Sequence, residues 1–267
     1  MKKLLLFLCV MAVFFSCSSD SPDEELPEIE DAFNVSLTPS QGEVSVDVPF
    51  IIKVQSNEAI YEITRLNENI TQSISAAFPD QGLDDQYMNL NIHFEELGLQ
   101  KLTLEFTSIS GKKVSKVLNF EVVRGNAIKI TGFKINSFYN MHGTWDQEFA
   151  SDDPNRLADI IYAFQKLSTT HFSDPKQNMR RWYLSPVYPN EQQLEWDLSQ
   201  EGLYISDRSI LEFGIGDDDG NGIGEDLTRS YQGLRIRLND YRDTKPAQIN
   251  LSNEEAGIDI SLELEWP

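Results

Sequence analysis

The chain has 267 residues with 43 acidic against 22 basic side chains, a net charge of −21 at neutral pH. A field of that sign repels phosphate backbones and anionic membrane surfaces, which excludes nucleic acid as a partner. Both cysteines, Cys9 and Cys17, fall at the very start, so the chain beyond them has no means of forming a disulfide, a cysteine nucleophile or a thiolate zinc site.

Lys2 and Lys3 precede an uninterrupted apolar run from Leu4 to Phe15. That run is shorter than the ~20 residues needed to cross a bilayer and fits the hydrophobic region of an export signal. Ser16 followed by Cys17 resembles the cleavage site of bacterial lipoproteins. The resemblance implies a signal peptide over 1–16, lipidation of Cys17, and a place at the outer membrane or cell surface with the lipid as the membrane contact. Acyl chains contribute about 0.8 kcal/mol per buried methylene, so two or three of them hold firmly. The following Ser18-Ser19-Asp20-Ser21-Pro22-Asp23-Glu24-Glu25 and the acids as far as Asp31 have too little apolar surface to offset ordering entropy. Residues 17–32 are therefore expected to be a flexible acidic linker.

From Phe33 the pattern is all β. Short strands are predicted at Asn34–Leu37, Val44–Val48, Phe50–Gln55, Ile60–Thr64, Met88–Phe94, Leu99–Thr107 and Val114–Val123. Leu102, Leu104 and Phe106 alternate with Thr103 and Glu105, the period of a half-buried strand, and Ser110-Gly111 marks a turn. About seven short strands in this span predict a β-sandwich over 33–123. The pattern resembles the immunoglobulin-like repeats of bacterial surface lipoproteins, whose usual role is that of a spacer.

Arg124-Gly125-Asn126 reads as a boundary, and a second β-sandwich is predicted over 127–267. Its strands are expected at Ala127–Phe138, Ile210–Ile215, Leu234–Leu238, Ala247–Leu251 and Ile258–Leu264, the last with Ile258, Ile260, Leu262 and Leu264 inward. Residues 154–167 are ambiguous. Asp153-Pro154 ahead of Leu157, Ile160, Ile161, Phe164 and Leu167 fits a capped amphipathic helix, while Ile160, Tyr162 and Phe164 also line one face of a strand.

The most specific text is the segment from Phe213 to Leu227. Asp217, Asp219 and Asn221 place side-chain oxygens at the first, third and fifth positions of a loop, with Gly222 at the sixth. This spacing wraps a hard divalent cation. Ile223 would add its backbone carbonyl, and Glu225 or Asp226 would close the shell. Carboxylates this close repel by roughly 1 kcal/mol per pair in water and about 4 at an effective dielectric of 20, and five glycines from Gly214 to Gly224 raise the ordering cost. A cation converts that repulsion into coordination. The all-oxygen set favours calcium over zinc or copper; the competing reading is a solvated acidic turn. Thr228 stands where a helical calcium hand has its glutamate, and the loop is more similar to those of thrombospondin type 3 repeats or dockerins.

Gly143-Thr144-Trp145-Asp146, Leu157-Ala158-Asp159-Ile160 and the downstream Asp-rich loop together resemble the layout of C2 domains. That resemblance implies a C2-like sandwich in which Asp146 and Asp159 join Asp217, Asp219 and Asp226 on calcium at one pole. It also makes Asp159–Leu167 a strand, the reading preferred over the helix. Asp146 reads equally as an exposed loop acid beside a core-anchoring Trp145.

No nucleophile elbow, phosphate loop or HExxH spacing is present, and His93, His142 and His171 are scattered. The expected function is non-catalytic: a membrane-anchored binding or scaffolding protein, with a glycan or protein as ligand. One alternative is a carbohydrate-handling accessory protein or hydrolase, for which Trp182, Tyr183, Tyr188 and Trp196 would supply an aromatic platform. A purely structural spacer is the other.

Overall fold

In the computed structural model, residues 32–66, 71–75, 86–167, 179–218, 220, 225–229 and 234–267 are described. Strands and single turns of 3-10 helix account for all regular structure among them. No helix of the described residues is long and apolar enough to cross a membrane.

The first eight strands are β1 (Val35–Pro39), β2 (Val44–Ser45), β3 (Phe50–Ser56), β4 (Ile60–Leu66), β5 (Thr71–Ser75), β6 (Tyr87–Ile92), β7 (Gly98–Ser108) and β8 (Lys113–Val123). They form two sheets, ordered β1-β3-β6 and β2-β8-β7-β4-β5. All neighbours are antiparallel except β2 and β8, which run parallel with Val44 opposite Val122. This is the strand order of an immunoglobulin-like sandwich. Alternation drives it: Leu102, Leu104 and Phe106 on β7 are fully buried and meet Ile52, Ile63, Leu90 and Ile92 in one cluster. Strand β5 was not predicted, since Thr71-Gln72-Ser73-Ile74-Ser75 has little apolar alternation and forms an edge.

The remaining strands are β9 (Ile128–Ser137), β10 (Ile160–Leu167), β11 (Met179–Leu184), β12 (Glu195–Asp197), β13 (Tyr204–Ile205), β14 (Ile210–Asp217), β15 (Leu234–Arg237), β16 (Gln248–Asn253) and β17 (Ile258–Glu265). One sheet is ordered β11-β10-β14-β15 and the other β12-β9-β17-β16, with β13 also on β9. The core between them centres on Phe133. Tyr162, Phe164, Trp196 and Phe213 surround it at ring-centroid distances of 4.6–5.4 Å.

Both readings of 154–167 are realised in part. The Asp153 carboxylate accepts from the Asn155 N–H at 2.9 Å and Pro154 occupies the first turn, but only the single turn Pro154–Arg156 forms. The chain then extends, because Ile160, Tyr162 and Phe164 find the core on one side of a strand. The cap signal was real; burial on a sheet outweighed propagation of the helix.

The two sandwiches meet where β8 turns into β9. Gly125 sits there with φ of 54°, and a Cβ on it would lie 2.4 Å from Ser45 Oγ. Left-handed backbone and close approach both demand glycine. Beside this turn, Asp47 adopts φ of 57° and is buried against the second sandwich.

Candidate functional site

Two regions of the surface carry chemistry. The first is the pole of the second sandwich where β14 ends. Ile160 on β10 pairs with Asp217 on β14, which brings the chain ahead of β10 against the start of the Asp-rich loop. Asp217 is buried, and its Oδ1 accepts the Asp159 N–H at 2.6 Å. The Asp218 N–H returns a bond to the Asp159 carbonyl at 2.9 Å. On the far side of the loop, Glu225 accepts the Asp217 N–H at 2.9 Å through its carbonyl, and Asp226 bridges Gly216. Asp226 Oδ1 accepts from both the Thr228 N–H and hydroxyl.

Asp159 and Asp217 are thus brought into direct contact, and Glu225 and Asp226 flank them through the backbone. The Asp146 N–H, like that of Trp145, donates to the Arg156 carbonyl. Among the described residues these carboxylates do not place three ligand atoms within 4.8 Å of one another. The predicted ligands Asp219, Asn221 and Ile223 lie outside the described residues.

A buried acid that sequence reading missed lies on the same network. The Glu191 carboxylate accepts from the His142 N–H at 3.1 Å and contacts His142 Nδ1 at 2.7 Å, and its own N–H donates to Ala158. His142, itself exposed, is paired with this buried acid. Asn140, His142, Asn190 and Glu191 all have left-handed backbone, a costly conformation for residues with a Cβ. No composition or spacing signal marks such a turn.

The four aromatic residues of the proposed platform are divided between surface and core: Trp182, Tyr183 and Tyr188 are partly buried and only Trp196 belongs to the buried core. Trp196 is buried and stacks on Phe133 with an interplanar angle of 12°. Lys166 Nζ covers Trp182 at 3.4 Å from the ring centroid. Burial raises the hydroxyl pKa of Tyr162 far above the ordinary tyrosine value, and those of Tyr183 and Tyr188 to a lesser degree.

The second region is a cavity of about 580 Å³ where the sandwiches meet, lined among others by Asp47, His93, Asn126, Lys166, Arg208 and Ser209. Lys166 Nζ lies 3.1 Å from Asp47 Oδ1 and donates to the Tyr204 carbonyl at 3.0 Å. Asp47 Oδ2 accepts from the Ser206 N–H and the Ser209 hydroxyl, each at 2.8 Å. Asp47, His93 and Glu95 bring one ligand atom each within 4.8 Å of the others, the one such trio among the described residues. Sequence reading had no access to this grouping, because Asp47 comes from the turn after β2, whereas His93 and Glu95 come from the loop between β6 and β7.

No protein-family model matches the chain, and no curated protein matches it. Among solved structures it is similar to murine CEACAM1b, at 12% identity and a TM-score of 0.26 over 69% of this chain and 92% of that one. It is also similar to carbohydrate-binding modules of the β-sandwich superfamily, at 8% identity and a TM-score of 0.27 over 87% of this chain and 90% of that one.

Proposed function

We propose that the chain is a lipid-anchored surface protein that binds a partner and performs no reaction. Cys17 carries the anchor, the acidic linker sets the sandwiches away from the membrane, and the second sandwich is C2-like, with calcium organising its outer loops. The ligand is a glycan or a protein, since a net charge of −21 disfavours polyanions.

One observation carries the calcium part of this reading: the Asp159 N–H sits 2.6 Å from Asp217 Oδ1, so two acid-bearing segments distant in sequence share one pole. The donors there are carboxylate and carbonyl oxygens, the chemistry that calcium selects. Asp217 and Asp159, with Glu225 or Asp226, would hold the ion alongside Asp219, Asn221 and Ile223. Calcium would neutralise the crowded acids and order the glycine-rich loop.

Thermal unfolding of the full chain in calcium chloride and in EDTA tests this. An ion that binds only the folded state adds about 2.7 kcal/mol at one hundred times its dissociation constant. Identical melting in both buffers at millimolar calcium rejects the calcium reading. Labelling with a fatty-acid probe tests the anchor separately: incorporation should vanish in Cys17→Ser, and a wild-type chain that takes up no label rejects it.

A further inference from the structure

We infer that Asp47, His93 and Glu95 form a binding site for a divalent transition metal of the zinc class, at the junction cavity and separate from the calcium loop. The first ground is the histidine itself. His93 Nδ1 is buried without a hydrogen-bond partner, and Nε2 stands 3.6 Å from Glu95 Oε1, beyond hydrogen-bond range. A buried ring nitrogen left without a partner is costly. Between two carboxylates, a metal ion removes that cost.

The donor set fits. One imidazole nitrogen with two carboxylate oxygens is a zinc-type set and a poor one for calcium. Bonds of ~2.0 Å in a tetrahedron place donors about 3.3 Å apart. The three ligand atoms lie within 4.8 Å of one another, so modest side-chain rotations close the site.

The supporting shell is already built around Asp47. Its left-handed backbone, φ 57°, turns the carboxylate into the junction. Ser206 and Ser209 fix Oδ2, while Lys166 takes one lone pair of Oδ1 and leaves another for the ion. Such outer bonds orient metal ligands. With three protein ligands, a fourth position remains for water or an exogenous ligand entering the cavity, the arrangement of an open zinc site.

Isothermal titration of the full chain with zinc chloride, in calcium sufficient to saturate the Asp-rich loop, tests the site. The expected result is one zinc per chain, absent in His93→Gln and retained in His142→Ala and His171→Ala. Ser209→Ala should keep the stoichiometry and weaken binding by about 10- to 100-fold. Cobalt(II) should give visible absorption bands that His93→Gln removes. Glu95→Gln is the second variant, decisive should His93→Gln fail to fold. Absence of zinc binding, or binding indifferent to the substitutions at 93 and 95, overturns the proposal whatever the calcium result.

Discussion

Lys166 Nζ lies 3.1 Å from Asp47 Oδ1, and almost nothing of either side chain reaches solvent. The pair joins β10 of one sandwich to the turn ahead of β3 of the other. Removing one partner of a buried ion pair leaves an uncompensated charge and costs about 3–5 kcal/mol. Lys166→Met should therefore lower the urea midpoint sharply. Asp47→Asn combined with Lys166→Met should recover much of the loss, because both charges go and asparagine tolerates the left-handed backbone. Urea titrations in EDTA read both; a double variant no better than Lys166→Met would show that the charge is not the cause.

Asp217 has two separable roles. Asp217→Ala deprives the half-buried Asp159 N–H of its acceptor, which should cost about 1–3 kcal/mol even in EDTA. Asp217→Asn keeps a carbonyl oxygen for that N–H and should melt near the wild type in EDTA, yet lose the rise in melting temperature on adding calcium. Differential scanning calorimetry of the three proteins in both buffers distinguishes these outcomes.

The centre of the second core predicts a large effect. Phe133 touches four aromatic rings, so Phe133→Ala should cost about 3–5 kcal/mol. Tyr61 is more than half exposed, and Tyr61→Ala should change stability by less than about 0.5 kcal/mol. Guanidinium unfolding followed by far-ultraviolet circular dichroism reports both.

Alkaline unfolding should be steep. Burial raises the Tyr162 pKa in the folded chain above its unfolded value, so the protein retains a proton that the unfolded chain releases. The stabilisation is complete below the unfolded tyrosine pKa, near 10, and is lost as pH climbs above it, at about 1.4 kcal/mol per pH unit for this group. Tyr162→Phe should flatten that slope in urea titrations between pH 9 and ~11. At the acid end the sign reverses. The Ser110 hydroxyl and the Lys112 ammonium lower the Glu58 pKa, so its contribution is present at neutral pH and disappears as pH falls through the carboxylate range.

Most of the fold was legible because alternation on a sheet is a local property. Ile258, Ile260, Leu262 and Leu264 turn inward as their spacing requires; β7 extends one residue past its predicted limits at each end, and β8 begins one residue early and ends at Val123 as predicted. What escaped was short or weakly apolar: β12 carries one core residue, Trp196, between two acids, and β13 is two residues long. The sites divide the same way. Asp217 was conspicuous within its own glycine-rich segment, while the strand register that sets Asp159 against it is a tertiary property. Asp47, His93 and Lys166 leave no shared local trace, since a grouping across two sandwiches is set by tertiary register alone.

Strands β2 and β8 run parallel, with Val44 beside Val122 and the Val46 N–H donating to the Val123 carbonyl at 2.9 Å. A pull that separates residue 33 from the chain beyond residue 124 draws these strands past each other lengthwise. Their hydrogen bonds then bear the load together instead of parting one at a time. The arrangement confers mechanical resistance on a protein strained between its two ends.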